Sequence, residues 1–137
     1  MTDPARAAVT ASQHVDAPPE TVWHALTDGD TLARWWAPGD VQPVVGHAFT
    51  LDMGGWGAQA CEVTTVDHGR QFAYRFAIGV LDSKITWTLI PESNGTRVDL
   101  VHAGFDLSTP MGRQGHEGMG RGWPGVLARM AAVVAGT

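Results

Sequence analysis

KITWTLIPESNGTRVDLVHAGF, residues 84–105, is the stretch on which the fold turns. Ile85, Trp87 and Leu89 fall on one face of its first half, and Val98, Leu100 and His102 fall in phase in its second. Alternation over this length is the pattern of a half-buried strand. The Asn94-Gly95 pair between the halves is the strongest short hairpin signal available. Taken as a two-residue turn, it sets Leu89 opposite Leu100 and Trp87 opposite His102, keeping the inward faces together. The spacing therefore predicts an antiparallel sheet.

The same texture extends upstream to about residue 47. HAFTLDM alternates Phe49, Leu51 and Met53 before GGWG at 54–57, and QFAYRFA places Phe72, Tyr74 and Phe76 on one face. QACEVTTVD lies between them and ends at a His68-Gly69 turn. Counting back from that turn puts Glu62 outside, opposite Arg75. Counting forward from a Gly54-Gly55 turn puts Ala58, Ala60 and Glu62 inside. Both turns can hold two residues only if the strand carries a bulge. An inward Glu62 beside an inward His would be an acid–base pair; an outward one is a surface ion pair of little worth.

Nearer the N-terminus, VTASQHV predicts a strand over about 7–15 with Val9, Ala11, Gln13 and Val15 on one face. Pro18-Pro19 then opens a helix with a Val22, Trp23 and Leu26 stripe that Gly29 is placed to end. Asp30 is a candidate cap for a second short helix, in which Leu32, Trp35 and Trp36 follow the i, i+3, i+4 rule. At the other end, a glycine-rich run from Thr109 to Gly122 leads into WPGVLARMAAVVA, with Trp123, Leu127, Met130 and Val134 near helical spacing. Each glycine weakens a helix by up to ~1 kcal/mol against Ala, so the first half is either helix or lid. Pro124 either kinks that helix or starts it. Antiparallel strands with helices kept to one face make an α+β domain, and a sheet closing on one helix leaves a gap wherever small residues such as Ala11 and Ala58 line the contact.

The totals narrow the class. A chain of 137 residues fits one domain, read here as 7–136 with a flexible 1–6. Net charge is −5, which disfavours nucleic acid and anionic membranes as partners. One cysteine, no signal-like start and no long apolar run predict a cytoplasmic protein. GRGWPG at 120–125 fits G-x-G-x-x-G but lacks the preceding strand and the following acid. No spacing suggests a metal site, and no cofactor is expected.

Six tryptophans against one tyrosine suit an apolar pocket wall. Adjacent Trp35 and Trp36 point about 100° apart on a helix, so both cannot fill one spot. We expect Trp36, with Trp56 and Trp87, to line a cavity, leaving Trp35 to the core. His102 points inward, either as a satisfied buried imidazole or as a polar anchor with Tyr74 and Gln13 as companions. His14, His24 and His68 belong outside.

These pieces, in this order, resemble the SRPBCC, or START-like helix-grip, superfamily, and within it the branch of the activator of heat-shock chaperone ATPase. The residues that carry the resemblance are DAPPETVWHALTD (16–28), LARWWAP (32–38), VGHAF (45–49), ITWTLIP (85–91), GTRVDLVHAGF (95–105) and the late Gly122-Trp123. The resemblance implies a curved sheet of about six strands wrapped around a long C-terminal helix, with two short helices after the first strand. It also implies an apolar cavity between helix and sheet, which Phe49, Leu51, Phe72, Leu100 and Trp123 would help to line. Pro124, the glycine-rich helix start and Trp56 in GGWG depart from the usual pattern. The resemblance supplies no universal catalytic residue. The leading expectation is binding of a small hydrophobic or aromatic molecule. One alternative is a cyclase, dehydratase or hydrolase acting on a polyketide-like substrate, with His102, Tyr74 and Glu62 as candidates. The other is a chaperone-ATPase-activating or interaction module, and a homodimer is a further partner arrangement.

Overall fold

A computed structural model describes residues 6–136. The strands are β1 (Arg6–Val15), β2 (Ala48–Asp52), β3 (Ala58–Asp67), β4 (Gln71–Phe76), β5 (Ser83–Glu92) and β6 (Gly95–Asp106). Two short helices, α1 (Pro19–Thr27) and α2 (Gly29–Trp35), follow β1, and a long helix, α3 (Pro110–Ala135), ends the chain. The strands form one antiparallel sheet in the order β1-β6-β5-β4-β3-β2, with α3 packed chiefly on β1 and β6. This is the helix-grip α+β architecture. The expected flexible segment 1–6 lies outside the described residues except for Arg6, which opens β1.

The decisive hairpin forms with its register moved by two. Glu92 pairs with Gly95, so Leu89 faces Val98, Trp87 faces Leu100 and Ile85 faces His102. An even shift preserves the faces, and the inward set stays buried. The shift arises because Gly95 is a ladder residue with φ 146°, and a Cβ there would sit 2.1 Å from the Val15 carbonyl oxygen. Glycine is needed for the close approach of β1, while Ser93 and Asn94 make the turn.

Asp28, not Asp30, caps α2, its carboxylate accepting from the Thr31 N–H at 3.0 Å and the Thr31 hydroxyl at 2.7 Å. Gly29 begins α2 rather than ending α1, and the nearby Gly39 carbonyl leaves no room for a Cβ. In β6, an irregularity against Ala7 and Ala8 leaves Gly104, at φ 94°, as an extra residue. The bulge turns Phe105 inward along with His102, which plain alternation would forbid.

The glycine-rich segment is helical. Thr109 caps α3 by accepting from the Gly112 N–H at 3.0 Å, Pro110 occupies the first turn, and the helix runs 26 residues through Pro124. Pro124 is exposed, so its missing N–H falls on the water side. Gly112 is buried where α3 crosses the end of β6, and a Cβ there would lie 1.8 Å from the Asp106 carbonyl oxygen.

Candidate functional site

The space between α3 and the centre of the sheet is filled. Trp36, Trp87 and Trp123 pack together there, tilted or edge to face, with Trp36–Trp123 centroids 5.0 Å apart and Trp87–Trp123 at 5.5 Å. His102 is fully buried among Phe76, Phe105 and Trp123. The Trp123 indole N–H donates to His102 Nδ1 at 3.1 Å, and His102 Nε2 lies 2.8 Å from the Ser83 hydroxyl. Indole can only donate, so Nδ1 is the bare nitrogen and Nε2 carries the proton. Ser83 Oγ accepts the hydrogen bond from Nε2–H and donates its own O–H to the Phe76 carbonyl at 3.1 Å. Burial lowers the imidazole pKa to about 3, so His102 is neutral at ordinary pH. With both nitrogens engaged, it is a satisfied structural imidazole rather than a free anchor.

Tyr74 is buried and accepts from the Trp87 N–H at 3.1 Å, and burial pushes its pKa up. Phe49, Leu51, Phe72, Trp87 and Leu100 are likewise core side chains. Gln13 is half-buried on β1 and donates to the His14 carbonyl at 2.9 Å. Glu62 points outward, 3.8 Å from Arg75. The two strand counts are reconciled by a bulge between Val63 and Thr65, and by a longer loop, since Asp52 pairs with Ala58 across Met53–Gly57. Ala58 and Ala60 are consequently exposed, and Glu62 with His102 makes no acid–base pair.

Open space lies instead beside the first half of α3. A cleft of about 170 Å³ is bounded by Met53, Trp56 and Gln59 from the β2–β3 side, and by Phe76, Ala77, Val80 and Leu81 from the end of β4 and its loop. Met111, Gln114, Gly115, Gly118 and Met119 of α3 close it. Its rim is apolar and wet: Trp56, Val80 and Met111 are 62%, 51% and 43% exposed. The rim loop is tightly held. Ala77 and Asp82 have φ 58° and 49°, and the Ala77 carbonyl accepts from the N–H groups of Val80, Leu81 and Asp82 at 2.9–3.0 Å. Bonds of this kind can maintain a backbone conformation that costs energy for residues with a Cβ.

A second, shallower cleft continues along α3 past Met53 and Met119, which border both. Trp36 and Trp123 form its apolar wall, with Asp52 and Arg129 at the edge. The paired indoles thus divide their work. Trp35 is buried and donates to the Ala25 carbonyl at 3.0 Å, while Trp36 is half-buried against the opening.

Residues 16–135 match the family described as activator of Hsp90 ATPase homolog 1-like protein. The chain belongs to this family. Solved relatives of this member include protein MLL2253 from Mesorhizobium loti, at 28% identity and TM-score 0.84, over 96% of this chain and 98% of that one. Bacillus halodurans protein BH1534 matches at 27% identity and TM-score 0.81, over 95% and 99%. The Aha1 dimer from Colwellia psychrerythraea shares the fold at 20% identity and TM-score 0.78, over 94% and 96%. No curated protein matches the chain.

Sequence reasoning nominated Trp56, which borders the first cleft, and Trp36 and Trp123, which border the second, but not Gln59, Val80, Leu81, Met111, Gly118 or Met119. The glycine-rich stretch held the usable signal. A Cβ on Gly118 or Gly122 would meet nothing within 4 Å, so these glycines face open space. Among the described residues, no group of three or more His, Cys, Asp or Glu side chains could hold a metal, and no helix is long and apolar enough to cross a membrane.

Proposed function

We propose that this family member binds a small, uncharged, apolar or aromatic molecule in the cleft beside the first half of α3. The observation that carries the reading is the coincidence of a concave apolar space with an exposed apolar rim of Trp56, Val80 and Met111. Exposed apolar side chains gathered at one opening mark an interaction site. The size is informative: an apolar cavity of about 150 Å³ accepts benzene, so a space near 170 Å³ suits one or two small rings. Flexible Met53, Met111 and Met119 can adjust to the guest's shape.

The test is an NMR titration of the whole chain with p-xylene, following the Trp56 indole and Gly118 amide signals. Saturable shifts at both are expected. Gly118→Leu fills open space and should abolish them while leaving the fold intact. Absence of saturable shifts, or shifts that Gly118→Leu does not alter, would overturn the reading.

The exposed rim favours a second reading, that of an interaction surface. The Colwellia protein is a dimer, and light scattering of this chain with and without Trp56→Ser tests self-association. A dimer lost on that substitution would support the interaction reading; a monomer in both would remove self-association as its basis.

A further inference from the structure

The two clefts beside α3 open on one face of that helix. Met111, Gly115 and Gly118 line the first, and Gly122, Val126 and Arg129 line the second. Every step in this series is three or four residues, the spacing that keeps positions on one side of a helix. Met53 and Met119 border both clefts, and methionine side chains are unbranched and adapt readily to a neighbour's shape. A Cβ on Gly118 or Gly122 would meet nothing within 4 Å, so the helix backbone is open in both clefts. From Gly118 to Arg129 the face runs about 16 Å at 1.5 Å per residue. Polarity changes along it. No charged side chain lines the first cleft, whereas the second ends at the exposed Arg129. The Arg129 Nε–H donates to the Trp35 carbonyl at 3.3 Å, which tethers the guanidinium there. The N–H groups of its two Nη atoms remain, and Arg129 makes no ion pair among the described residues. Asp52, the second cleft's one carboxylate, accepts from the Gly54 N–H at 3.0 Å.

We propose that the two clefts act as one groove for an elongated amphipathic monocarboxylate, whose carboxylate meets Arg129 and whose unbranched apolar chain runs over Gly122 and Gly118 into the first cleft. The proposal rests on the ligand-binding reading above and extends it. The first cleft keeps an uncharged apolar guest, which becomes the tail of a longer molecule. The polarity of the groove sets the direction. A carboxylate in the first cleft would lose hydration and find no cation, so the head belongs at the Arg129 end. There the planar guanidinium offers parallel N–H groups that match the two oxygens of a carboxylate. A doubly charged head is disfavoured, because Asp52 borders the same cleft. The chain gains by covering the half-buried Trp36 and the glycine backbone, and Met53 and Met119 move aside to let it pass.

The experiment is an NMR titration of the whole chain with hexanoate, octanoate and decanoate, and with decan-1-ol and decylamine as neutral and cationic controls. Decanoate should give saturable shifts at the Gly118 and Gly122 amides with one shared Kd, and affinity should rise about twofold to fourfold per added methylene. Arg129→Gln should weaken decanoate about fivefold, the upper range for an exposed charge pair, and leave decan-1-ol unchanged. Shifts confined to one of the two glycines, or an affinity independent of chain length, would overturn the proposal. So would decylamine binding more tightly than decanoate, or an Arg129→Gln protein that holds decanoate as well as the wild type does. The wild-type series and the decylamine comparison decide the matter if the variant does not fold. Saturable binding of p-xylene without binding of decanoate overturns this proposal and keeps the broader reading. If neither binds, both fall together.

Discussion

The Trp123 indole of α3 donates its N–H to Nδ1 of His102 on β6 at 3.1 Å, tying the long helix to the sheet through a bond closed off from solvent. The bond also decides the histidine's chemistry, because a donor-only partner leaves the ring proton on Nε2 and directs it to Ser83. His102→Leu should therefore destabilise the fold by about 2–4 kcal/mol, since it strands the Trp123 N–H and removes the partner of Ser83. Urea unfolding measures this. Binding in the apolar cleft should persist, because His102 does not line it.

Acid should weaken the fold well above the carboxylate range. Burial holds the His102 pKa at about 3 against an ordinary 6.5. Between those values the unfolded chain binds a proton that the folded chain refuses, so stability is full above pH 6.5 and falls as pH drops. From pH 6.5 to 5 the loss should be about 2 kcal/mol. His14 acts in the opposite sense: hydrogen bonds to Glu92 and then Asp16 raise its pKa. Its contribution is complete below 6.5 and is lost only as pH rises through the raised value, so it adds no slope in this window. Unfolding of His102→Leu should accordingly show a flatter profile between pH 5 and 6.5.

Two glycines of one helix should respond oppositely to alanine. Gly118→Ala meets open space and should stabilise α3 by up to about 1 kcal/mol. Gly112→Ala would set its methyl group 1.8 Å from the Asp106 carbonyl oxygen and should destabilise by about 3 kcal/mol or more, or fail to fold. Thermal melts of the pair provide the comparison, with opposite signs expected.

The neighbouring tryptophans should be just as unequal. Trp35→Ala empties a buried site and breaks the bond to the Ala25 carbonyl, at a cost of about 3–5 kcal/mol. Trp36 is half-buried at the second cleft, so Trp36→Ala should cost less than half as much. Equal losses in urea unfolding would contradict this division.

Cys61 should be a poor nucleophile in the folded protein. Burial pushes its thiol pKa up to about 11, leaving about one molecule in a thousand as thiolate at pH 8. Alkylation by iodoacetamide at that pH should be slow and should accelerate sharply in urea.

The parity of the strands was legible because it is local. Val98, Leu100 and His102 face inward, as do Phe72, Tyr74 and Phe76, because side chains alternate along any extended backbone. A two-residue error in the hairpin register left every face correct. Helix α3 was less legible, since its glycines argue against helix on propensity and are accommodated through the Thr109 cap, the Asp106 crossing and anchoring at Trp123, Leu127, Met130 and Val134. The candidate site was only partly legible: Trp56, Trp36 and Trp123 could be nominated, whereas spacing left His102 open between a satisfied imidazole and an anchor with Tyr74, and only the packed structure shows both hydrogen-bonded within the core.

The sequence by itself determined the order of elements and most inward faces, because these rest on short-range spacing of residues along the chain, and its motifs carried the family resemblance. Only the tertiary structure decided that the centre is filled with indoles, that the opening lies beside the glycines of α3, and that a bulge turns Glu62 outward. Free volume and hydrogen-bond satisfaction are sums over side chains brought together from distant positions, and no local pattern contains those sums.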